Sequence, residues 1–170
     1  MKPISLLLIL NILKAVKIAG GAYRIMFKKI LVPVDGSETA WRALNNALEI
    51  GKKFESEILV VNVIQPYNNA ALLAVPLDHA TINQGNSELE KVGDKVLELA
   101  KEMVGSYPHK VEYDMEVGHP SERIIALSKK VEADAIVLGS RGLSGIAEFF
   151  LGSVSSKVSQ YATVPVLIVK

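Results

Sequence analysis

Lys29-Ile-Leu-Val-Pro-Val34 runs straight into Asp35-Gly36-Ser37 and on into Glu38-Thr-Ala40. A short apolar run closed by a turn signal reads as a strand and its turn. The period then changes: Ala40, Ala43, Leu44, Ala47, Leu48 and Phe54 recur at helical spacing, with Ser37 or Gly36 standing where a cap is needed. Glu57-Ile-Leu-Val-Val-Asn-Val-Ile64 is almost continuously apolar and β-branched, the composition of a strand buried on both faces. Strand, helix and double-faced strand make a βαβ unit, which requires parallel strands with helices packed against them.

The rest of the chain extends that unit. Residues Gln65 to Asn86 read as an irregular excursion, punctuated by Pro66, Pro76 and Gly85, with a short helix around Ala70 to Ala74 as one option. Ser87 to Val104 reads as a helix turning Leu89, Val92, Val96, Leu97, Ala100 and Val104 to the core. In Val111 to Val117 apolar and acidic residues alternate, as in a sheet-edge strand with one wet face. Gly118-His119-Pro120 opens another helix, with buried face Ile124, Ile125, Leu127 and Val131. Ala135 to Leu138 is a fourth strand, Gly139 to Gly152 a glycine-rich loop, Ser153 to Ala162 a last helix and Val166 to Val169 a last strand.

The expected architecture is therefore α/β: a doubly wound, five-stranded parallel sheet in the order 3-2-1-4-5. In that order the winding reverses between the first and fourth strands, and ligands of such sheets bind outside the strand ends at the reversal. Asp35-Gly36-Ser37 and Gly139-Ser140-Arg141-Gly142 fall there.

Composition narrows the function. The 170 residues carry 19 Lys+Arg against 18 Asp+Glu and only 6% aromatics. Neither a concentrated basic face nor a stacking platform follows, so no nucleic-acid partner is expected. There is no cysteine, which excludes thiolate catalysis, Cys-ligated metal and disulfides and is compatible with a reducing, cytoplasmic location.

The charge is uneven. Residues 1–25 hold Lys2, Lys14, Lys17 and Arg24 and no acid, so the remainder carries 15 cations against 18 acids, a net −3. This leader also contains the most apolar run, Ile4 to Leu13, too short to span a bilayer, which takes about 20 residues. It reads in several ways: a signal peptide, a surface helix with Asn11, Lys14 and Lys17 on one stripe, or a segment upstream of a usual start at Met26. The expected organisation is a leader 1–25 and one domain 26–170, with a membrane role only if the leader supplies it.

The chemistry concentrates in Gly139-Ser-Arg-Gly142 and Gly152-Ser153-Val154-Ser155. Glycines let backbone N–H groups approach a ligand, and the start of a helix presents free N–H groups and a positive dipole end. Hydroxyls of Ser153 and Ser155 and the fork of Arg141 would add donors. Turn glycines and a simple Ser153 cap explain the same residues without a ligand; placement at the reversal, opposite Asp35, favours a nucleotide cradle. No Walker motif and no Gly-x-Gly-x-x-Gly is present, Gly142-Leu-Ser144-Gly145 is one residue short of a nucleophile elbow, and His79, His109 and His119 lack ligand spacing. Asp35 reads as a ribose partner, as a thin metal site, or as a general base on water.

Gly139, Gly142, Gly152 and Ser153 meet the spacing Gly-x2-Gly-x9-Gly-(Ser/Thr), the opening Lys29-Ile-Leu-Val-Pro-Val-Asp-Gly-Ser-Glu-Thr-Ala40 precedes it, and Val164-Pro-Val-Leu-Ile-Val169 closes the chain. On these residues the sequence from Met26 to Lys170 resembles the universal stress protein family, in its ATP-binding branch. The resemblance implies a Rossmann-like, adenine-nucleotide alpha hydrolase-like fold and bound ATP, with Mg2+ or Mn2+ held through the phosphates. It implies Asp35 at the ribose, Pro33 and Val34 beside the nucleoside, and Val63 at the adenine through its backbone. Leu138, Gly139, Arg141 and Gly142 would line ribose and phosphates, and Gly152, Ser153, Val154 and Ser155 would hold the phosphate tail. It points also to a homodimer through Val166 to Val169, an apolar strand at a sheet edge. Function would be nucleotide-dependent regulation in stress response, with a slow ATPase or phosphotransferase and a nucleotide-independent scaffold as the alternatives.

Overall fold

The computed structural model describes residues 15–17, 23–25, 27–66, 79–143 and 151–170. Strands β1 (Ala15–Lys17) and β2 (Tyr23–Ile25) form an antiparallel ribbon, so a helical stripe through Lys17 is not what forms; residues 1–14 lie outside the description. Then follow β3 (Lys29–Pro33), α1 (Glu38–Phe54), β4 (Glu57–Ile64), α2 (His79–Val104), β5 (Val111–Val117), α3 (Pro120–Lys130), β6 (Ala135–Gly139), α4 (Ser153–Tyr161) and β7 (Val166–Val169). The five later strands make one parallel sheet in the order β5-β4-β3-β6-β7, the expected 3-2-1-4-5.

β3 and β4 are central because both their faces are apolar. Ile30 and Val32 enter one core layer with Ile58 and Val60, while Leu31 enters the other with Leu59 and Val61. Helices α1 and α2 cover the first layer, through Ala40, Ala43, Leu44, Ala47 and Leu48 and through Val96, Leu97 and Ala100. Ile124 and Leu127 of α3 and Val158 of α4 cover the second. Helix α1 begins because Ser37 caps it, accepting the Ala40 N–H at 3.3 Å. It ends where Glu55 turns left-handed, φ 57°, and donates its N–H to the Gly51 carbonyl.

Two sequence expectations are corrected. Helix α2 begins at His79, eight residues before Ser87. Gly85 marks that stretch as irregular in the sequence, but extending a nucleated helix adds one hydrogen bond per residue, which outweighs a glycine cost of about 1 kcal/mol. Val92 is 59% exposed rather than buried. Gly93 takes the inward position, against Asn62, Met115 and Ile64. The suggested helix at Ala70 to Ala74 lies outside the described residues, as does Ser144. No helix among the described residues is long and apolar enough to cross a membrane.

Candidate functional site

At the carboxyl end of the sheet, where β3 and β6 part, the described residues form a cleft with about 710 Å3 of empty space, part of it open to solvent. β3 supplies Pro33 and, just beyond its end, Val34 and Asp35; β4 supplies Val61 and Val63. β6 and the turn after it supply Leu138, Gly139, Arg141 and Gly142. The start of α4 supplies Gly152, Ser153, Val154 and Ser155. Every residue that the family resemblance placed around the nucleotide thus lines this cleft.

Asp35 is fixed by its own turn. Its Oδ1 accepts the Ser37 N–H at 3.0 Å, and its Oδ2 faces Gly142 so closely that a Cβ there would lie 2.6 Å away. At Gly139 the missing Cβ serves packing: it would meet Thr39 Oγ1 at 2.6 Å and the Ala40 nitrogen at 2.8 Å. That glycine lets α1 start against the end of β6, a different reason from the ligand approach expected. Gly152 has φ −62° and room for a Cβ at 3.4 Å, so the described protein atoms do not require glycine there.

The two ends of the glycine-rich loop are tied together. The Gly152 N–H donates to the Ser140 carbonyl at 2.8 Å, and the Ser140 N–H donates to the Val169 carbonyl of β7 at 2.7 Å. Thr39 Oγ1 donates to the Arg141 carbonyl at 2.6 Å, with Ser37 Oγ 3.4 Å away from the same oxygen. Ser155 is 2% exposed and its hydroxyl donates to the carbonyls of Ser140, at 2.8 Å, and Gly152, at 3.0 Å. This corrects the expected donor role of that hydroxyl: it latches the loop to α4 and has no spare proton for a ligand.

What remains open to a ligand is backbone and charge. Helix α4 has no side-chain cap at Gly152 and no acid in its first turn, so its leading N–H groups and positive dipole end face the cleft. Among the described residues no carboxylate pairs with the Arg141 guanidinium, and Asp35 is the one acid on the wall. At the inner end the Val61 carbonyl accepts the Val34 N–H at 2.8 Å, which turns Val61 toward β3. Val63, two residues on, turns the same way, but β3 has ended at Pro33, so its N–H and C=O face the cleft.

Sequence reasoning missed Ala40, Val61, Pro120 and Ile124, which also line the wall. Pro120 and Ile124 belong to α3, which follows β5, and in the sheet order β4 and β3 stand between β5 and the reversal. The connection from edge strand β5 to β6 must cross β4 and β3, and it carries the first turns of α3 over the cleft. That crossover, legible in a 3-2-1-4-5 order, was the available signal. His119 is exposed at the N-cap of α3, its Nδ1 3.1 Å from Ser121 Oγ, and does not line the cleft.

The sequence profile of the universal stress protein family matches residues 26–170. The chain belongs to this family. It is 37% identical over 150 residues to Universal stress protein YxiE of Bacillus subtilis, covering 85% of this chain and 100% of that protein. The solved structure of protein MJ0577, from Methanocaldococcus jannaschii, superposes with a TM-score of 0.70 at 31% identity, over 86% of this chain and 97% of that one. Two more distant universal stress proteins share the fold and were solved as nucleotide complexes. One, with cAMP, has TM-score 0.63 and 24% identity over 84% of this chain and 97% of its own. The other, from Archaeoglobus fulgidus with dAMP, has TM-score 0.61 and 23% identity over 85% and 99%.

Proposed function

We propose that this universal stress protein binds an adenine nucleotide, ATP foremost, in the switch-point cleft and acts as a nucleotide-responsive regulatory module. One observation carries the reading: a single wall joins a free backbone edge at Val63, a carboxylate at Asp35 and an uncapped helix start at Gly152 to Ser155. These match the three parts of a nucleotide in order. The N–H and C=O of Val63 complement the N1 acceptor and the N6 amino donor of adenine. Asp35 accepts from ribose hydroxyls, with Pro33, Val34 and Leu138 as the apolar surround. The N–H groups of Gly142, Ser153 and Val154, the Ser153 hydroxyl and Arg141 receive phosphate. The room left at Gly152 accords with a phosphate passing over it. Complexes of two relatives with cAMP and dAMP support the nucleotide class.

Mg2+ or Mn2+ would arrive on the phosphates and screen their charge, with Asp35 as the protein carboxylate at hand. The same reading makes the protein a homodimer through β7, an edge strand whose Leu167 is 41% exposed. Calorimetric titration with ATP and Mg2+ tests the binding: saturable heat is expected, and none at about millimolar nucleotide sinks the proposal in favour of a scaffold. Single-turnover phosphate release separates binding from hydrolysis. Release that Asp35→Ala abolishes would make the protein a slow ATPase.

A further inference from the structure

We infer that Asn62 is a positioning residue of this cleft: its carboxamide takes the place of the Val63 N–H at the Val34 carbonyl and so leaves that N–H free for the ligand base. The inference rests on the nucleotide reading above and deepens it. In a parallel ladder a residue donates its N–H to one carbonyl of the neighbouring strand and accepts at its own carbonyl from the residue two further along. Val34 makes the first of these bonds, to the Val61 carbonyl at 2.8 Å. The second would run from the Val63 N–H to the Val34 carbonyl. It is absent from the backbone hydrogen bonds of the described residues, and the Val34 carbonyl instead accepts Asn62 Nδ2 at 2.7 Å. The strand β3 ends at Pro33 for this reason, one rung early.

The surroundings of Asn62 argue that the donor is why an asparagine stands there. Its neighbours on the same face of β4 are Ile58, Val60 and Ile64, all buried. Asn62 itself is 5% exposed, and its Oδ1 has no hydrogen-bond partner among the described residues. A buried acceptor left unsatisfied is unfavourable, so packing alone would favour an aliphatic side chain. Helix α2 accommodates the amide with a glycine: a Cβ on Gly93 would lie 2.8 Å from Asn62 Oδ1 and 3.0 Å from Met115 Cε. One face of the sheet therefore carries an orphaned oxygen and a helical glycine, and the β3-facing edge at the end of β4 gains a free N–H beside a free C=O. That pair fits adenine, whose N1 accepts and whose N6 amino group donates; guanine presents the opposite polarity at both positions.

The test is a cycle between this side chain and one ligand atom. ATP and 1-deaza-ATP, which has C–H in place of N1, are titrated against the full chain and Asn62→Leu, with Asn62→Ala as the smaller replacement should leucine overpack against Gly93. The parent should prefer ATP by about fivefold to tenfold, and the variant should lose that preference while holding 1-deaza-ATP as the parent does. A parent without the preference, or a variant that keeps it, overturns the inference; equal losses for both nucleotides mean a general structural role and overturn it too. Should the parent bind neither nucleotide, the nucleotide reading fails by itself, and amide hydrogen exchange decides the Asn62 substitution without ligand. The Val63 amide should exchange roughly tenfold or more faster in the parent than in Asn62→Leu, and equal rates reject it.

Discussion

A methyl group on Gly142 would sit 2.6 Å from Asp35 Oδ2, and the other oxygen of that carboxylate is already held by the Ser37 N–H. Gly142→Ala should therefore swing Asp35 out of the cleft and lower ATP affinity by about tenfold, while the far core leaves the melting temperature within a few degrees. Titration calorimetry beside a thermal melt checks both halves. Thr39 acts on the opposite lip. Thr39→Val removes the 2.6 Å bond to the Arg141 carbonyl, leaving Ser37 Oγ at 3.4 Å as its nearest substitute. A loss of about fivefold in ATP affinity is expected, with recovery in Thr39→Ser, which restores the hydroxyl without the methyl. Of these two contacts, the proximity of Asp35 and Gly142 was foreseeable from strand order. The Thr39 bond was not, because no periodicity reports which carbonyl a turn hydroxyl will find.

Among the elements, α1 shows how a glycine can be read wrongly as an incidental one. Gly51 is buried in the last turns of that helix, and a Cβ there would overlap the Tyr107 hydroxyl. That hydroxyl donates to the Ser56 carbonyl at 2.8 Å, which pins the chain after α2 beneath the start of β4. Gly51→Ala gains helix propensity but should still destabilise the protein by about 1–3 kcal/mol in urea titration. The same substitution in a Tyr107→Phe background should cost less, and equal costs in both backgrounds would show that the overlap is not the cause. The strands were legible from sequence because burial on both faces leaves a composition no surface element has: Ile30 to Val32 and Ile58 to Val61 could belong only to a sheet interior. The start of α2 and the outward turn of Val92 were not legible. Both depend on what lies opposite, a helix already nucleated in the first case and the Asn62 amide in the second, and neither partner is local in sequence.

For the molecule as a whole, the outer edge of β7, which pairs with no further strand among the described residues, is the feature with the widest reach. The carbonyls of Pro165 and Val169 accept from Ile136 on β6 and from Ser140 just beyond its end, so residues 165, 167 and 169 turn their backbone groups inward. The groups of Val166 and Ile168 consequently face outward. Ile168→Pro removes an outward donor while sparing the ladder to β6, and sedimentation should show it shifted from dimer to monomer at concentrations where the parent is dimeric. A variant as dimeric as the parent places the interface elsewhere. Sheet order and the end of the sheet that carries the cleft were both deducible from the alternation of strands and helices. The crossing of α3 over the cleft, and with it Pro120 and Ile124, required following the connection between two strands that are not neighbours.

The knot of bonds at the base of the glycine-rich loop has a practical side. Gly152 N–H to Ser140, Ser155 Oγ to both carbonyls and Thr39 Oγ1 to Arg141 close the ring at residues 140–152 from below. Chain spliced in between residues 143 and 151 would lengthen a ring whose neck is already tied, and doubling such a ring costs only about 0.6 kcal/mol. A fluorescent reporter grafted at that point would be joined at both ends to the cleft wall, through Gly142 and Gly152, so occupancy of the cleft by the proposed nucleotide should register in its emission.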